Sequence, residues 1–219
     1  MMTTITIGRA GDRHIPASLM DGMHRLRADV FHHRLGWDVE VVHGRERDGF
    51  DLLRPHYLLA HNAGHDRPRG SRVLGCCRVL PTLGPNMLRD VFPELADDHG
   101  IPARLDTWEV SRFAVAEEVC AGGYGFSALP ARMVGHLLLF CASRRIGSLV
   151  GVTSAPFERM LLRLGLQVER LGRPRRIGRV MSLAFALPLD AGNLAVAGAI
   201  AAGNGIGPDR MPATLPRAA

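Results

Sequence analysis

The chain opens on a period of two. Residues 3–7 alternate Thr and Ile, which predicts a short strand. At Pro16 the period changes. Pro suits a first helical turn, and Leu19, Met23, Leu26, Val30 and Arg34 then recur at helical spacing. That helix runs to about Leu35, where Gly36 breaks it and Trp37 follows. Arg27 and Phe31, four apart, share one of its faces.

Further along, strands and helices take turns. Residues 57–61 and 72–80 read as strands, the second largely buried, with a polar, Gly- and Pro-rich hairpin-like loop at 61–71. A turn at 81–85 leads to a short helix over 86–92, and residues 97–104 are a polar loop. Residues 105–115, LDTWEVSRFAV, alternate as a central strand that carries charge on one face, and charge there is costly unless it is paired or used. A glycine-rich turn at 121–125 precedes Ser127, an N-cap for a helix to about Arg145 with the stripe Val134, Leu137, Leu138 and Cys141. A buried strand at 148–154, a helix from Pro156 to Gly165, and strands at 166–170 and 180–187 complete the pattern. The fold class expected is α/β, a sandwich of helices on a mixed sheet. One domain spans 1–190, and the Ala/Gly-rich stretch 191–219 is expected to be a loosely ordered tail.

Composition narrows the partners. At 219 residues one domain has enough core to be stable, and the positive side of the net charge of +6 is carried by Arg. A basic balance points to an anionic partner. Cys76, Cys77, Cys120 and Cys141 show neither metal spacing nor a disulfide framework, and adjacent Cys76 and Cys77 would face opposite sides of a strand. With no leader pattern and no apolar run long enough to span a bilayer, the expectation is a cytoplasmic protein with reduced thiols, no metal and no membrane partner.

The chemistry concentrates in residues 27–51. Glu46, Asp48 and Asp51 follow Trp37 closely, with Arg45 and Arg47 between them. A large aromatic beside carboxylates suits a cationic ligand with a flat ring. A solvated loop anchored by Trp37 explains the same spacing, and spacing alone leaves both open.

In order, Arg27, Phe31, Leu35-Gly36-Trp37, Glu46, Asp48 and Asp51 resemble the first signature of the acyl-homoserine lactone synthases, the LuxI-type autoinducer synthases. Two further signatures agree: Arg78, Leu80-Pro81-Thr82, Pro85, Met87-Leu88 and Phe92, then Glu109, Ser111-Arg112 and Phe113. The resemblance covers roughly residues 20–187. It implies a fold similar to the GCN5-related acetyltransferases. It also implies that the amine of S-adenosylmethionine, a substrate and not a cofactor, attacks an acyl-[acyl carrier protein] thioester. The methionyl carboxylate then closes the lactone and expels 5′-methylthioadenosine. On that reading Glu109 is the base, directly or through a water. Arg27, Arg78 and Arg112 hold carboxylates. Glu46, Asp48 and Asp51 offset the sulfonium and ammonium charges, and Phe31, Trp37 and Phe92 pack on the adenosine. For Arg27, Asp51 and Arg112 a purely structural ion-pair network is an equal alternative.

The resemblance also implies that the strand at 148–154 lines the acyl pocket. Gly151 falls where a Thr accompanies 3-oxo chains, with Thr153 two residues on and on the same face. An unsubstituted, medium-length chain such as octanoyl is expected. Two rivals stand. A coenzyme A-dependent N-acetyltransferase would bring a Gln/Arg-x-x-Gly-x-Gly/Ala loop, but the one candidate frame, residues 120–125, has Cys120 in the leading place. A basic nucleic-acid-binding protein would cluster its Arg residues, which here are dispersed, so no nucleic-acid partner is expected. Catalysis by cysteine is disfavoured because no His stands at a diagnostic spacing.

Overall fold

The computed structural model describes residues 3–62, 72–96, 100–120 and 128–203. In chain order the strands are β1 (Thr3–Gly8), β2 (Val41–Val42), β3 (Arg45–Glu46), β4 (His56–Asn62), β5 (Arg72–Pro81), β6 (Thr107–Val115), β7 (Ser148–Ser154), β8 (Glu169–Arg170), β9 (Arg175–Ile177) and β10 (Val180–Pro188). The helices are α1 (Ala17–Arg27), α2 (Met87–Asp90), α3 (Glu117–Cys120), α4 (Ala128–Ser143), α5 (Ala155–Arg163) and α6 (Ala191–Ala201). The predicted strands and long helices are found with shifts of a few residues at their ends, while the loop at 63–71, the glycine turn at 121–125 and the cap Ser127 lie outside the described residues.

The main sheet runs β1-β4-β5-β6-β7-β10-β8, with β9 also paired to β10, while β2 and β3 make a separate hairpin. All neighbours in the main sheet are antiparallel except β6 and β7. One face is covered by α4, whose Met133, Val134, Leu137 and Leu138 meet Leu58, Val79 and Leu149. The other is covered by α1, whose Leu19, Met23 and Leu26 meet Tyr57, Leu59 and Val73. Cys77 falls in the first core and Cys76 in the second, as strand alternation requires.

One expectation is corrected. Residues 191–201, expected to belong to a loose tail, form α6, which is capped by the Asp190 side chain on Asn193 N. Fully buried Asn193 ties it down, accepting from Gln167 N and donating to the carbonyls of Gln167 and Pro188. Its small residues let it lie close to α4, where a Cβ on Gly135 would stand 3.0 Å from the Ala197 carbonyl.

Candidate active site

Three local irregularities build the site. First, α1 does not end at Arg27 but loosens into a π-helix over Ala28–Arg34, with Leu35 N donating to Val30 O at 2.9 Å. Such wide turns often mark functional sites. Gly36, at φ +63°, then reverses the chain, and Trp37 N reaches back to Phe31 O at 2.8 Å. The Phe31 and Trp37 rings stack with centroids 5.1 Å apart.

Second, β6 carries a bulge. Cys76 pairs with Ala114 but Arg78 pairs with Ser111, so two residues of β6 oppose one of β5. Arg112 takes φ +54°, a left-handed conformation that is strained for a residue with a long side chain. Simple alternation would put residues 109 and 112 on opposite faces. The bulge brings both to the α1 side, where Arg112 lies 5.3 Å from the centre of the Phe31 ring.

Third, β6 and β7 pair only from Thr107↔Ser148 to Val110↔Gly151. Past that point lies a cavity of about 350 Å³, lined by Ser111 and Phe113 of β6 and Val152 and Thr153 of β7. Its other walls include Phe31, Trp37, Phe92, Glu109 and Arg112. A second, smaller cavity of about 50 Å³ continues under α4, walled by Val134, Leu137, Leu138, Leu149 and Leu187. Ser111, Phe113, Val152, Thr153 and Phe157 line both.

Of the predicted site residues, Phe31, Trp37, Phe92, Glu109, Arg112 and Thr153 therefore meet at one cavity. Arg27, Glu46, Asp48, Asp51 and Arg78 do not line it; they form an ion network behind its wall. Fully buried Arg27 donates through Nε to Glu46 and through Nη1 and Nη2 to Asp51, at 2.8 and 3.0 Å. Fully buried Arg78 donates to Asp48, to Asp51 at 2.9 Å and to Ser111 Oγ at 3.1 Å. Arg112 completes the ring, donating to Glu46 Oε1 at 2.9 and 3.1 Å, with Nη2 2.8 Å from Asp48 Oδ2. Three guanidinium groups thus face three carboxylates. The carboxylates expected to offset a bound cation already have their charges matched by arginine. The network fixes the wall, and only Arg112 both belongs to it and touches the cavity.

Burial works to raise the Asp51 carboxyl, but the Arg27 hydrogen bonds and the charges of Arg27 and Arg78 overcome it and hold the group well below the usual range. Tyr57, whose hydroxyl donates to Asp51 Oδ1 at 2.8 Å, supports the network from β4. Nothing in its sequence position had marked it. Burial first, then the Asp51 charge, pushes its phenol far above the ordinary range, so it stays a neutral donor.

Glu109 stands apart from the arginines. Its carboxylate accepts from Met87 N at 3.0 Å and Leu88 N at 2.6 Å, buried amides of the first turn of α2. Burial raises its pKa, against the opposing pull of those two amides and of Arg78 and Arg112. A buried carboxylate held in one orientation at a cavity wall, with a raised affinity for protons, is suited to accept one. Trp37 Nε1 is buried yet has no hydrogen-bond partner among the described residues, as an indole facing a ligand site would be.

One expectation changes here. Gly151 lines neither cavity: a Cβ there would stand 2.5 Å from the Val110 carbonyl and 3.2 Å from the Phe185 ring. It adds no depth for a ligand, and Thr153 is the residue of that pair that faces the cavity. Burial pushes the Cys76 and Cys141 thiols up to about 12 and Cys77 well above its ordinary value, so none of the three offers a thiolate near neutrality. The side chain of Cys120 and the frame 121–125 lie outside the described residues. Among the described residues no group of three His, Cys, Asp or Glu could hold a metal, and no helix is long and apolar enough to cross a membrane.

A family profile described as autoinducer synthase matches residues 13–196. The chain is 38% identical over 187 residues to an acyl-homoserine-lactone synthase of Pseudomonas aeruginosa, across 85% of this chain and 90% of that one. It resembles the solved structure of the AHL synthase LasI with a TM-score of 0.78 at 36% identity, over 89% of this chain and 94% of that one. It resembles BjaI, described as a CoA-dependent acyl-homoserine lactone synthase with SAM and isopentyl-CoA, with a TM-score of 0.76 at 27% identity, over 90% and 88%. A structure assigned as an N-acetyltransferase from Lactobacillus plantarum, at 10% identity and a TM-score of 0.55 over 87% and 100%, shares the fold alone.

Proposed function

The chain belongs to the autoinducer synthase family, acyltransferases that make acyl-homoserine lactones for quorum sensing, and from that premise we propose its substrates and product. S-adenosylmethionine is acylated by an acyl-[acyl carrier protein], and the adduct closes to an N-acyl-L-homoserine lactone with release of 5′-methylthioadenosine. The observation that carries this reading is the parting of β6 and β7, which leaves a larger, aromatic-walled cavity holding the charged groups of Glu109 and Arg112 and a narrow pocket without charged residues continuing from it. Two reactants can meet there.

The large cavity takes S-adenosylmethionine, with adenine against Phe31, Trp37 and Phe92 and the reacting amine toward Glu109. Glu109 takes the ammonium proton, directly or through a water, and the freed amine attacks the thioester carbon. The carboxylate of the acylated intermediate then attacks its own γ-carbon, and the carbon–sulfur bond breaks to give methylthioadenosine. The network of Arg27, Arg78, Glu46, Asp48 and Asp51 positions the wall. The acyl chain lies in the small pocket, whose walls beyond Ser111 and Thr153 are apolar. That lining favours an unsubstituted medium chain, octanoyl-like, with neighbouring lengths as side products because each methylene discriminates by only ~1–3 kcal/mol.

Mass spectrometry of lactones in medium from expressing cells tests the product. Release of methylthioadenosine separates the reading from simple N-acetyl transfer. A second reading, acyl-coenzyme A as donor, is favoured by the similarity to the structure with isopentyl-CoA. Matched octanoyl donors decide between them: the carrier-protein thioester should give the higher kcat/KM, and the reverse order would select coenzyme A.

A further inference from the structure

Ser111 occupies the junction between the two cavities. It is the first residue of β6 beyond the last pair with β7, and it lines both spaces. Its side chain does not rotate freely, because Arg78 Nε donates to Oγ at 3.1 Å while Arg78 itself is fixed by Asp48 and Asp51. A hydroxyl has one proton and two lone pairs. Arg78 uses a lone pair, and among the described residues nothing accepts the Ser111 proton. An oriented O–H donor with no partner therefore stands where the reacting ends of the two substrates meet.

Trp37 Nε1 and Arg78 Nη2 also lack a partner among the described residues, but Trp37 lines the larger cavity alone and Arg78 lines neither. Arg112 directs Nε and Nη2 to Glu46 and Asp48, and its Nη1 lies 3.0 Å from Met87 Sδ. Thr153 also lines both cavities, but among the described residues no cation holds its hydroxyl in one orientation.

We infer that Ser111 is a further catalytic residue, its hydroxyl donating to the acyl carbonyl oxygen and, more strongly, to the oxyanion that forms from it. The inference rests on the reading of the site as one that joins an amine to an acyl thioester. As the amine nitrogen forms the new C–N bond, the carbonyl π pair moves onto oxygen. That oxyanion accepts the Ser111 hydrogen bond without taking the proton. When the C=O bond re-forms, the C–S bond breaks and its pair leaves on sulfur. Nitrogen loses two protons in all: Glu109 takes the ammonium proton, directly or through a water, and passes it to solvent before attack, then takes the second as the adduct collapses and passes it to the thiolate. Arg78 contributes at one remove: its N–H on Oγ polarises the hydroxyl and makes it a better donor.

The test compares Ser111→Ala, Ser111→Thr and the wild-type chain in one assay that follows both free thiol and methylthioadenosine at saturating S-adenosylmethionine. Ser111→Ala should lower kcat for thiol release by about 10²-fold, the loss typical of one oxyanion donor. It should leave the KM for S-adenosylmethionine and the acid limb of the pH profile in place. Ser111→Thr, which keeps a hydroxyl, should recover activity to within about tenfold of wild type, and thermal melting should show all three folded. A kcat in Ser111→Ala within about threefold of wild type overturns the inference and leaves the proposed function intact. So does a loss that Ser111→Thr fails to recover, or one carried by KM alone; either would make Ser111 only a support for Arg78. A wild-type chain that releases neither product overturns the proposed function itself.

Discussion

Glu109 and Asp51 are buried carboxylates whose surroundings push them in opposite directions. Around Glu109 burial dominates and the pKa rises, so the group must lose its proton before it can accept another. The acylation rate should therefore climb with pH through a limb lying above the ordinary carboxylate range. Glu109→Gln should abolish that limb and lower the rate by ~10²–10⁴-fold, read from single-turnover thiol release. Near-normal turnover in a folded variant would remove Glu109 from the role. Around Asp51 the arginines prevail over burial and the pKa falls. A depressed carboxyl stabilises the fold at pH values above its unfolded value of ~3.9, and that stabilisation fades as pH drops through this value toward the folded one. Asp51→Asn leaves part of the charge on Arg27 and Arg78 unmatched. It should cost ~3–5 kcal/mol near neutrality by denaturant titration, and the gap from wild type should narrow in acid. A gap that is independent of pH would mean that hydrogen bonding, not charge, is what Asp51 supplies.

At the scale of elements, Gly151 shows how a sequence position can mislead. The family resemblance places it on the strand that lines the acyl pocket, and it does sit on β7. The added carbon of any larger residue would nevertheless run into the β6 backbone at Val110. Gly151→Thr should cost about 1–3 kcal/mol of stability through overpacking, seen as a lower melting temperature. The surviving enzyme should keep its product spectrum. Full stability with a shift toward shorter or 3-oxo chains would put Gly151 back on the pocket wall. What was legible in the sequence was whatever follows a regular pattern: β1 and β6 come from alternation, α1 and α4 from helical spacing, and β5 and β7 from short apolar runs. What was not legible was every departure from a period. The π-helical turn at Ala28–Arg34 and the bulge at Arg112 leave ordinary residues in place and change only the backbone. α6 escaped because AGNLAVAGAIA has no polar face to mark a helical period. The site residues were legible as types, but their pairing was not. Sequence order could not say that Glu46, Asp48 and Asp51 would turn toward arginines and away from the cavity.

Over the whole molecule, the basic charge collects on exposed side chains of the second half. Arg144, Arg145, Arg159, Arg163, Arg173, Arg175, Arg176 and Arg179 are all exposed. Carrier proteins are acidic, so reversing the charge of two or three of these should raise the KM for the acyl carrier substrate and weaken its dependence on salt. The KM for S-adenosylmethionine should stay fixed in the same variants. Unchanged constants across the set would put the docking surface elsewhere. The sheet itself has a seam. β1, β4, β5 and β6 zip together as antiparallel neighbours, and β7 with β10 does the same over seven register pairs. In the sheet, the two blocks are joined by the four register pairs of β6 with β7, and beneath it α4 packs on both. The cleft opens at that join, and a substrate that grips both sides fastens the two blocks together. Amide hydrogen exchange should therefore slow most along β6 and β7 when S-adenosylmethionine is added, and least in β1 at the far edge.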